Sequence, residues 1–284
     1  MCSLEKRGDI FYLTLTGVDE HRLNPALISS IAASLAEVKS KADRGSVLIT
    51  KAEGNFFSNG FDFKYAQAAG SPEGAMDRLK HMVEVFKPVA AELISLPMPT
   101  IAAVTGHAAA AGLMLAICHD YVAMRSDRGV LYMSELDLGL PLPEYFTALI
   151  RSKVGSRAAR RSLVLQSAKL RAGEALGLGL IDSAHAGAKE TADAAEQLAE
   201  TLSKRRWDGK IYAVLRKALI PEITSHKRNI SQCLLLAENW IDIKKAQAGK
   251  MTLIRYESGW AYPDLLVLRS PCRPNRCSLP VVSG

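Results

Sequence analysis

Three stretches of the sequence hold residues able to do chemistry. Residues 134–146, S-E-L-D-L-G-L-P-L-P-E-Y-F, set Glu135, Asp137 and Glu144 among apolar neighbours directly after a strand-like run. A carboxylate in apolar company holds its proton more tightly and becomes a candidate general base near neutral pH. For any one of the three, capping a helix or facing water is the alternative. Residues 106–112, G-H-A-A-A-A-G, form a bend with almost no side chain. Backbone amides near Ala110, Ala111 and Gly112 can therefore approach a ligand closely and hold a developing oxyanion. Close packing of a helix on a strand asks for the same small residues. The third stretch, residues 56–63, reads F-F-S-N-G-F-D-F, and Gly60 between Asn59 and Phe61 marks a sharp turn that can expose an amide.

Elements of regular structure must position these residues. Residues 101–105 are apolar and β-capable, end at Gly106, and give way after Gly112 to an apolar helical stretch containing Met114 and Cys118. Ile10 to Thr16 alternates like a half-buried strand, and Asn24-Pro25 reads as a helix cap ahead of Leu27, Ile28, Ile31, Leu35 and Val38 at helical spacing. Residues 47–50 form a short buried strand, followed by a loop over 51–63. A helix over 75–96 is expected to bend at Pro88, and 121–124 and 130–133 read as short strands. From Ser156 to Leu219 the pattern is mainly helical, with a strand-like end at 181–183. His107, beside the small-residue bend, reads as a satisfied structural histidine.

The 284 residues are 48% hydrophobic and 23% charged, which suits a folded catalytic domain and excludes wholesale disorder. No apolar run reaches membrane-spanning length, so no membrane partner is expected. The formal charge of +7 favours an anionic ligand. Because the Lys and Arg residues are scattered, that ligand reads as a phosphate-bearing small molecule and not a nucleic acid. The five cysteines show neither metal spacing nor a disulfide framework. There is no G-x-G-x-x-G or P-loop stretch and no His/Cys cluster, so no metal is expected.

Taken in this order and spacing, F-F-S-N-G-F-D-F, G-H-A-A-A-A-G and S-E-L-D-L-G resemble the crotonase (enoyl-CoA hydratase/isomerase) superfamily, and within it the plant peroxisomal enoyl-CoA delta isomerases. The resemblance runs from about Leu4 to Pro221. It implies an α/β fold, a spiral of ββα units with a helical C-terminal region, assembled as a homotrimer or hexamer. It also implies an oxyanion hole made by the N–H groups of Asn59 and Ala111. Ser58, Asn59, Gly60, Phe61, Asp62 and Ala111 would line the thioester end of an acyl-CoA substrate. Glu135 takes the position of the general base and acid, with Glu144, in a Pro-Glu pair, as the alternative base. The second glutamate of the family's hydratases falls at Met114, which carries no proton.

The implied activity is therefore that of an isomerase that moves a 3-cis or 3-trans double bond of a fatty acyl-CoA to 2-trans in β-oxidation. It needs no cofactor, since CoA is part of the substrate. The alternatives are a dienoyl-CoA isomerase, an enoyl-CoA hydratase, or an acyl-CoA-binding protein without turnover. The resemblance implies a peroxisome, although the last residues, Val281-Val282-Ser283-Gly284, are not a Ser-Lys-Leu type address. The cytoplasm is the alternative compartment. The extent of the resemblance implies a catalytic core over 1–221, followed by a helical extension over 222–251 with its helix at 231–247, and the composition shift after Thr252 marks an irregular Pro/Arg-rich tail over 252–284.

Overall fold

The computed structural model describes residues 1–17 and 19–220. The chain opens with a hairpin in which β1 (Cys2–Arg7) runs antiparallel to β2 (Ile10–Leu15), and then enters α1 (Pro25–Ser40). Asn24 caps α1 by accepting the Leu27 N–H at 3.0 Å, and Pro25 occupies the first turn, where a missing donor costs nothing. All five apolar residues expected on one face of α1 are buried.

A repeat follows. Each unit has a longer strand, a very short strand and then helix. The first unit is β3 (Val47–Ala52), β4 (Phe56–Ser58), α2 (Phe63–Gln67) and α3 (Pro72–Ser95). The second is β5 (Thr100–Val104), β6 (His107–Ala109) and α4 (Ala111–Ile117), and the third is β7 (Tyr121–Arg125), β8 (Leu131–Tyr132), α5 (Glu135–Leu138) and α6 (Glu144–Lys153). The chain continues through α7 (Arg157–Arg160), a π-helical turn (Arg161–Leu165), α8 (Ala172–Gly177), β9 (Ser183–His185), α9 (Ala188–Ser203) and α10 (Gly209–Leu219).

The longer strands form one six-stranded sheet in the order β1-β2-β3-β5-β7-β9, parallel beyond the opening hairpin. Alternate residues serve opposite faces. Phe11, Leu13, Leu15, Leu48, Ala102 and Val104 join the main core with α1, α3 and α4, whereas Ile10, Tyr12, Val47, Ile49, Ile101 and Ala103 pack under Ala195, Ala199 and Leu202 of α9. Burial on both faces is why β3 and β5 read as continuous apolar runs, and it corrects the expectation for β2, which reads as a half-buried strand but is buried on both faces. The short strands form a second, all-parallel sheet in the order β4-β6-β8.

α10 is fastened by one guanidinium. Arg216, 5% exposed, donates to the carbonyl oxygens of Leu93, Leu96 and Met98 at the end of α3 and to Asp120 Oδ2 at 2.5 Å. Asp120 Oδ2 also accepts the Thr100 N–H at 2.9 Å and the Tyr212 hydroxyl at 3.2 Å.

Several expectations are corrected. α3 begins three residues earlier than expected, at Pro72, because Ser71 caps it there, and it ends at Ser95 with Pro88 inside it as expected. The loop over 51–63 contains β4, and the bend after Gly106 begins as β6, because each short strand finds a neighbour that sequence periodicity cannot reveal. The strand-like end at 181–183 lies slightly later, as β9. The helix expected over 231–247 and the tail over 252–284 lie outside the described residues.

Candidate active site

The first turn follows β4. Ser58 is fully buried and its hydroxyl donates to the His21 carbonyl at 2.8 Å. Gly60 has φ +75, a left-handed conformation that favours glycine. The turn is clamped along one side by residues 20–24: Leu23 N–H donates to the Gly60 carbonyl at 2.8 Å and Asp62 N–H to the Leu23 carbonyl at 3.3 Å. Asp62 also caps α2, accepting the Tyr65 N–H at 2.9 Å.

This clamp corrects one expectation. The Asn59 N–H donates to the Glu20 carbonyl at 2.9 Å and is not available to a ligand. Two residues on, the Phe61 N–H has no hydrogen-bond partner among the described residues, while the Phe61 ring is held beside Phe86 and Phe146 with centroids 5.8 and 6.2 Å away. The free amide of this turn is therefore that of Phe61.

The second turn follows β6. Ala110 sits at φ 49 and ψ −122, a region non-glycine residues occupy at a cost of about 1–3 kcal/mol. Its N–H donates to the Tyr132 carbonyl at 2.9 Å. Ala111 is the first residue of α4, and its N–H is one of the orphan donors of a helix start. The two turns touch. A Cβ on Gly112 would lie 2.2 Å from the Ser58 carbonyl oxygen, and one on Gly60 would lie 3.5 Å from the Ala111 nitrogen. Glycine at these positions is what lets the turns, and with them the Phe61 and Ala111 amides, approach each other.

The third strand delivers a carboxylate. Glu135 begins α5, three residues beyond the end of β8. Its Oε2 is buried without a hydrogen-bond partner among the described residues, and burial pushes its pKa up to about 7 from 4.5 against the opposing pull of the backbone N–H groups of Glu135 and Ser134. Asp137, two residues later, is exposed. Glu144 is exposed as well and opens α6, where a negative charge favours the helix start. Met114 is fully buried within α4. His107 differs from expectation: its Nδ1 is buried without a partner among the described residues, and burial lowers its pKa.

The three short strands are parallel neighbours, so the Phe61 amide, the Ala111 amide and Glu135 all emerge at their C-terminal ends. That edge is where parallel sheets present ligand sites. At one sheet edge, a carboxylate with its pKa pushed up to about 7 can remove a proton next to a carbonyl, and free amides can stabilise the charge that develops on its oxygen.

The model of the enoyl-CoA hydratase/isomerase family matches residues 5–257. The chain belongs to that family. Among its curated relatives, "Enoyl-CoA delta isomerase 2, peroxisomal" of Arabidopsis thaliana is 58% identical over 224 residues, spanning 78% of this chain and 93% of the relative. "Enoyl-CoA delta isomerase 1, peroxisomal" of the same plant is 50% identical over 80% of this chain and 92% of its own length. The fold is likewise shared with a probable enoyl-CoA hydratase from Mycobacterium tuberculosis H37Rv, at a TM-score of 0.69 and 20% identity, covering 87% of this chain and 96% of that one. As a crotonase-family member the chain has the expected ββα architecture.

Among the described residues no helix is long and apolar enough to cross a membrane, and no group of three His, Cys, Asp or Glu side chains could hold a metal ion.

Proposed function

We propose that this chain is an enoyl-CoA delta isomerase that converts 3-enoyl-CoA thioesters to the 2-trans isomers in fatty-acid β-oxidation. The observation that carries the reading is Glu135, a carboxylate with one buried oxygen and its pKa pushed up to about 7, following the same small sheet whose other strands end at two turns with free amides.

In this mechanism the ionised Glu135 takes a proton from C2 of the substrate. Electrons move into the thioester, and the resulting dienolate oxygen accepts hydrogen bonds from the N–H groups of Phe61 and Ala111. Two preorganised donors of this kind stabilise the charge by several kcal/mol. Protonated Glu135 then returns its proton to C4, the double bond settles between C2 and C3, and the carboxylate is regenerated. A pKa near 7 suits both halves, since the group must accept and release a proton at neutral pH.

Hydration is disfavoured because Met114 stands where a second acid would act. Ser58, Asn59, Gly60 and Asp62 shape the thioester end without donating to it, Asn59 through its side chain and the others through the turn. No cofactor enters the mechanism. The peroxisome is the proposed compartment, in keeping with the names of two relatives. A homotrimer or hexamer is the proposed assembly, with residues 1–221 as its catalytic unit.

The test is conversion of a 3-enoyl-CoA by purified protein, run beside hydration of a 2-trans-enoyl-CoA. Isomerisation without hydration is expected. Hydration alone, or binding of acyl-CoA without turnover on either substrate, would overturn the reading.

A further inference from the structure

Tyr132 touches both turns of the site. Its carbonyl oxygen accepts the N–H of Ala110, the residue before the Ala111 amide, at 2.9 Å. Its hydroxyl donates to Asn59 Oδ1 at 3.1 Å, across the ends of two strands that are not neighbours. Asn59 is itself fixed at two further points, through its N–H on the Glu20 carbonyl at 2.9 Å and its Nδ2 on Glu20 Oε2 at 3.0 Å. Arg22 Nε holds that same Glu20 oxygen at 2.6 Å. Three residues beyond Tyr132 the chain reaches Glu135.

The sheet alone is a weak ruler for this geometry. β8 has two residues, its ladder to β6 is the two pairs Ala108↔Leu131 and Ala109↔Tyr132, and the register between β4 and β6 is irregular between Phe56 and Ser58. β4 and β8 lie on either side of β6, so no sheet hydrogen bond joins them. The Tyr132 to Asn59 bond does join them, and Tyr132 is 7% exposed, which strengthens a hydrogen bond by keeping competing water away.

From this we infer that Tyr132 is a positioning residue, which through its hydroxyl on Asn59 and its carbonyl on Ala110 sets the spacing of the Phe61 and Ala111 amides relative to each other and to Glu135. It acts through these groups and does not touch substrate. The inference rests on the isomerase reading of the same site. Misplacement of reacting groups by about an ångström costs on the order of 100-fold in rate, so a loosened spacer has a large kinetic effect without a large structural one.

The experiment compares Tyr132→Phe, which keeps the ring and removes the hydroxyl, with Asn59→Leu and the double variant. For Tyr132→Phe, kcat is expected to fall roughly 10- to 100-fold while KM stays within about threefold. The melting temperature should drop by no more than a few degrees, as for loss of one hydrogen bond. The double variant should be no slower than the slower single variant, because Asn59→Leu already removes the tie that Tyr132→Phe removes. A readout that general loosening would not move is the infrared carbonyl stretch of 2-trans-enoyl-CoA labelled with carbon-13 at the thioester. Bound to the wild type it should lie at lower frequency than in solution, and in Tyr132→Phe much of that displacement should vanish. The acid limb of the rate profile should stay near pH 7, because burial and not Tyr132 sets it.

Wild-type kcat and carbonyl frequency in Tyr132→Phe would overturn the inference. So would multiplying losses in the double variant, or a wild type that leaves the bound carbonyl undisplaced. If the wild type failed to isomerise while its bound carbonyl was displaced in a Tyr132-dependent way, the isomerase reading would fall and the spacer role would stand.

Discussion

The two sheets of this protein differ in length, burial and task. The large sheet has central strands of five and six residues, buried on both faces between α9 and the main helical layer. The small sheet has strands of two and three residues, yet each ends at a component of the site: β4 at the Phe61 turn, β6 at Ala110 and Ala111, β8 ahead of Glu135. The proposed mechanism thus assigns stability chiefly to the first and chemistry to the second. The strained φ of Ala110 and the unpartnered oxygen of Glu135 lie at the small sheet and are tolerated because the large one overdetermines the fold.

That contrast can be broken at its strongest point. Glu135→Gln should lower kcat by roughly 1,000-fold while acyl-CoA still binds, measured by isomerase assay beside calorimetric titration. Wild-type turnover in this variant would move the base to Glu144. In the wild type, kcat/KM should rise through pH 7 and level off above it, since the free enzyme must be ionised at Glu135 to begin. Stability should run the other way. The folded pKa of Glu135 lies above its ordinary 4.5, so ionisation is penalised only in the folded state, and wild-type stability falls as pH climbs from about 4.5 to about 7. The Gln variant lacks that fall, and its advantage should approach about 3 kcal/mol by pH 8 in urea unfolding.

The large sheet should answer differently. Ile101→Ala removes a fully buried side chain between β5 and α9, and should cost about 2–5 kcal/mol of unfolding free energy while specific activity per folded molecule is retained. A selective loss of activity there would erase the division of labour. Smaller still is Ala110→Gly, which relieves the positive φ and should stabilise the fold by about 1 kcal/mol, after the entropy cost of glycine, in thermal unfolding. Glu144→Gln should change least. Its turnover should stay within about twofold of the wild type, with a few tenths of a kcal/mol lost from the start of α6.

The same contrast explains how much could be read from the sequence. The strands of the large sheet and α1 carry their own signals, since apolar runs and the Asn24-Pro25 cap are local facts. Glu135 and Ala111 stand out by residue type and neighbours. In the small sheet, two- and three-residue strands are too short to show a period, so β4 was hidden in a loop and β6 in a bend. Which amide of the first turn is free depends on Glu20, 39 residues before Asn59, and no local pattern reports that pairing. The importance of Tyr132 and Arg216 was hidden for the same reason.

Arg216 also bears on how the molecule is made. Until that guanidinium arrives, Asp120 keeps its bonds from Thr100 but lacks its ion pair, and the carbonyls around the end of α3 lack their donor. A ribosome that has delivered β2 through α9 has therefore made all three site-bearing turns but not the group that locks the helix and strand behind them. The ties that close α3 against Asp120 therefore come from α10, the last described helix to be synthesised, and can form only after the strands and turns of both sheets have been made.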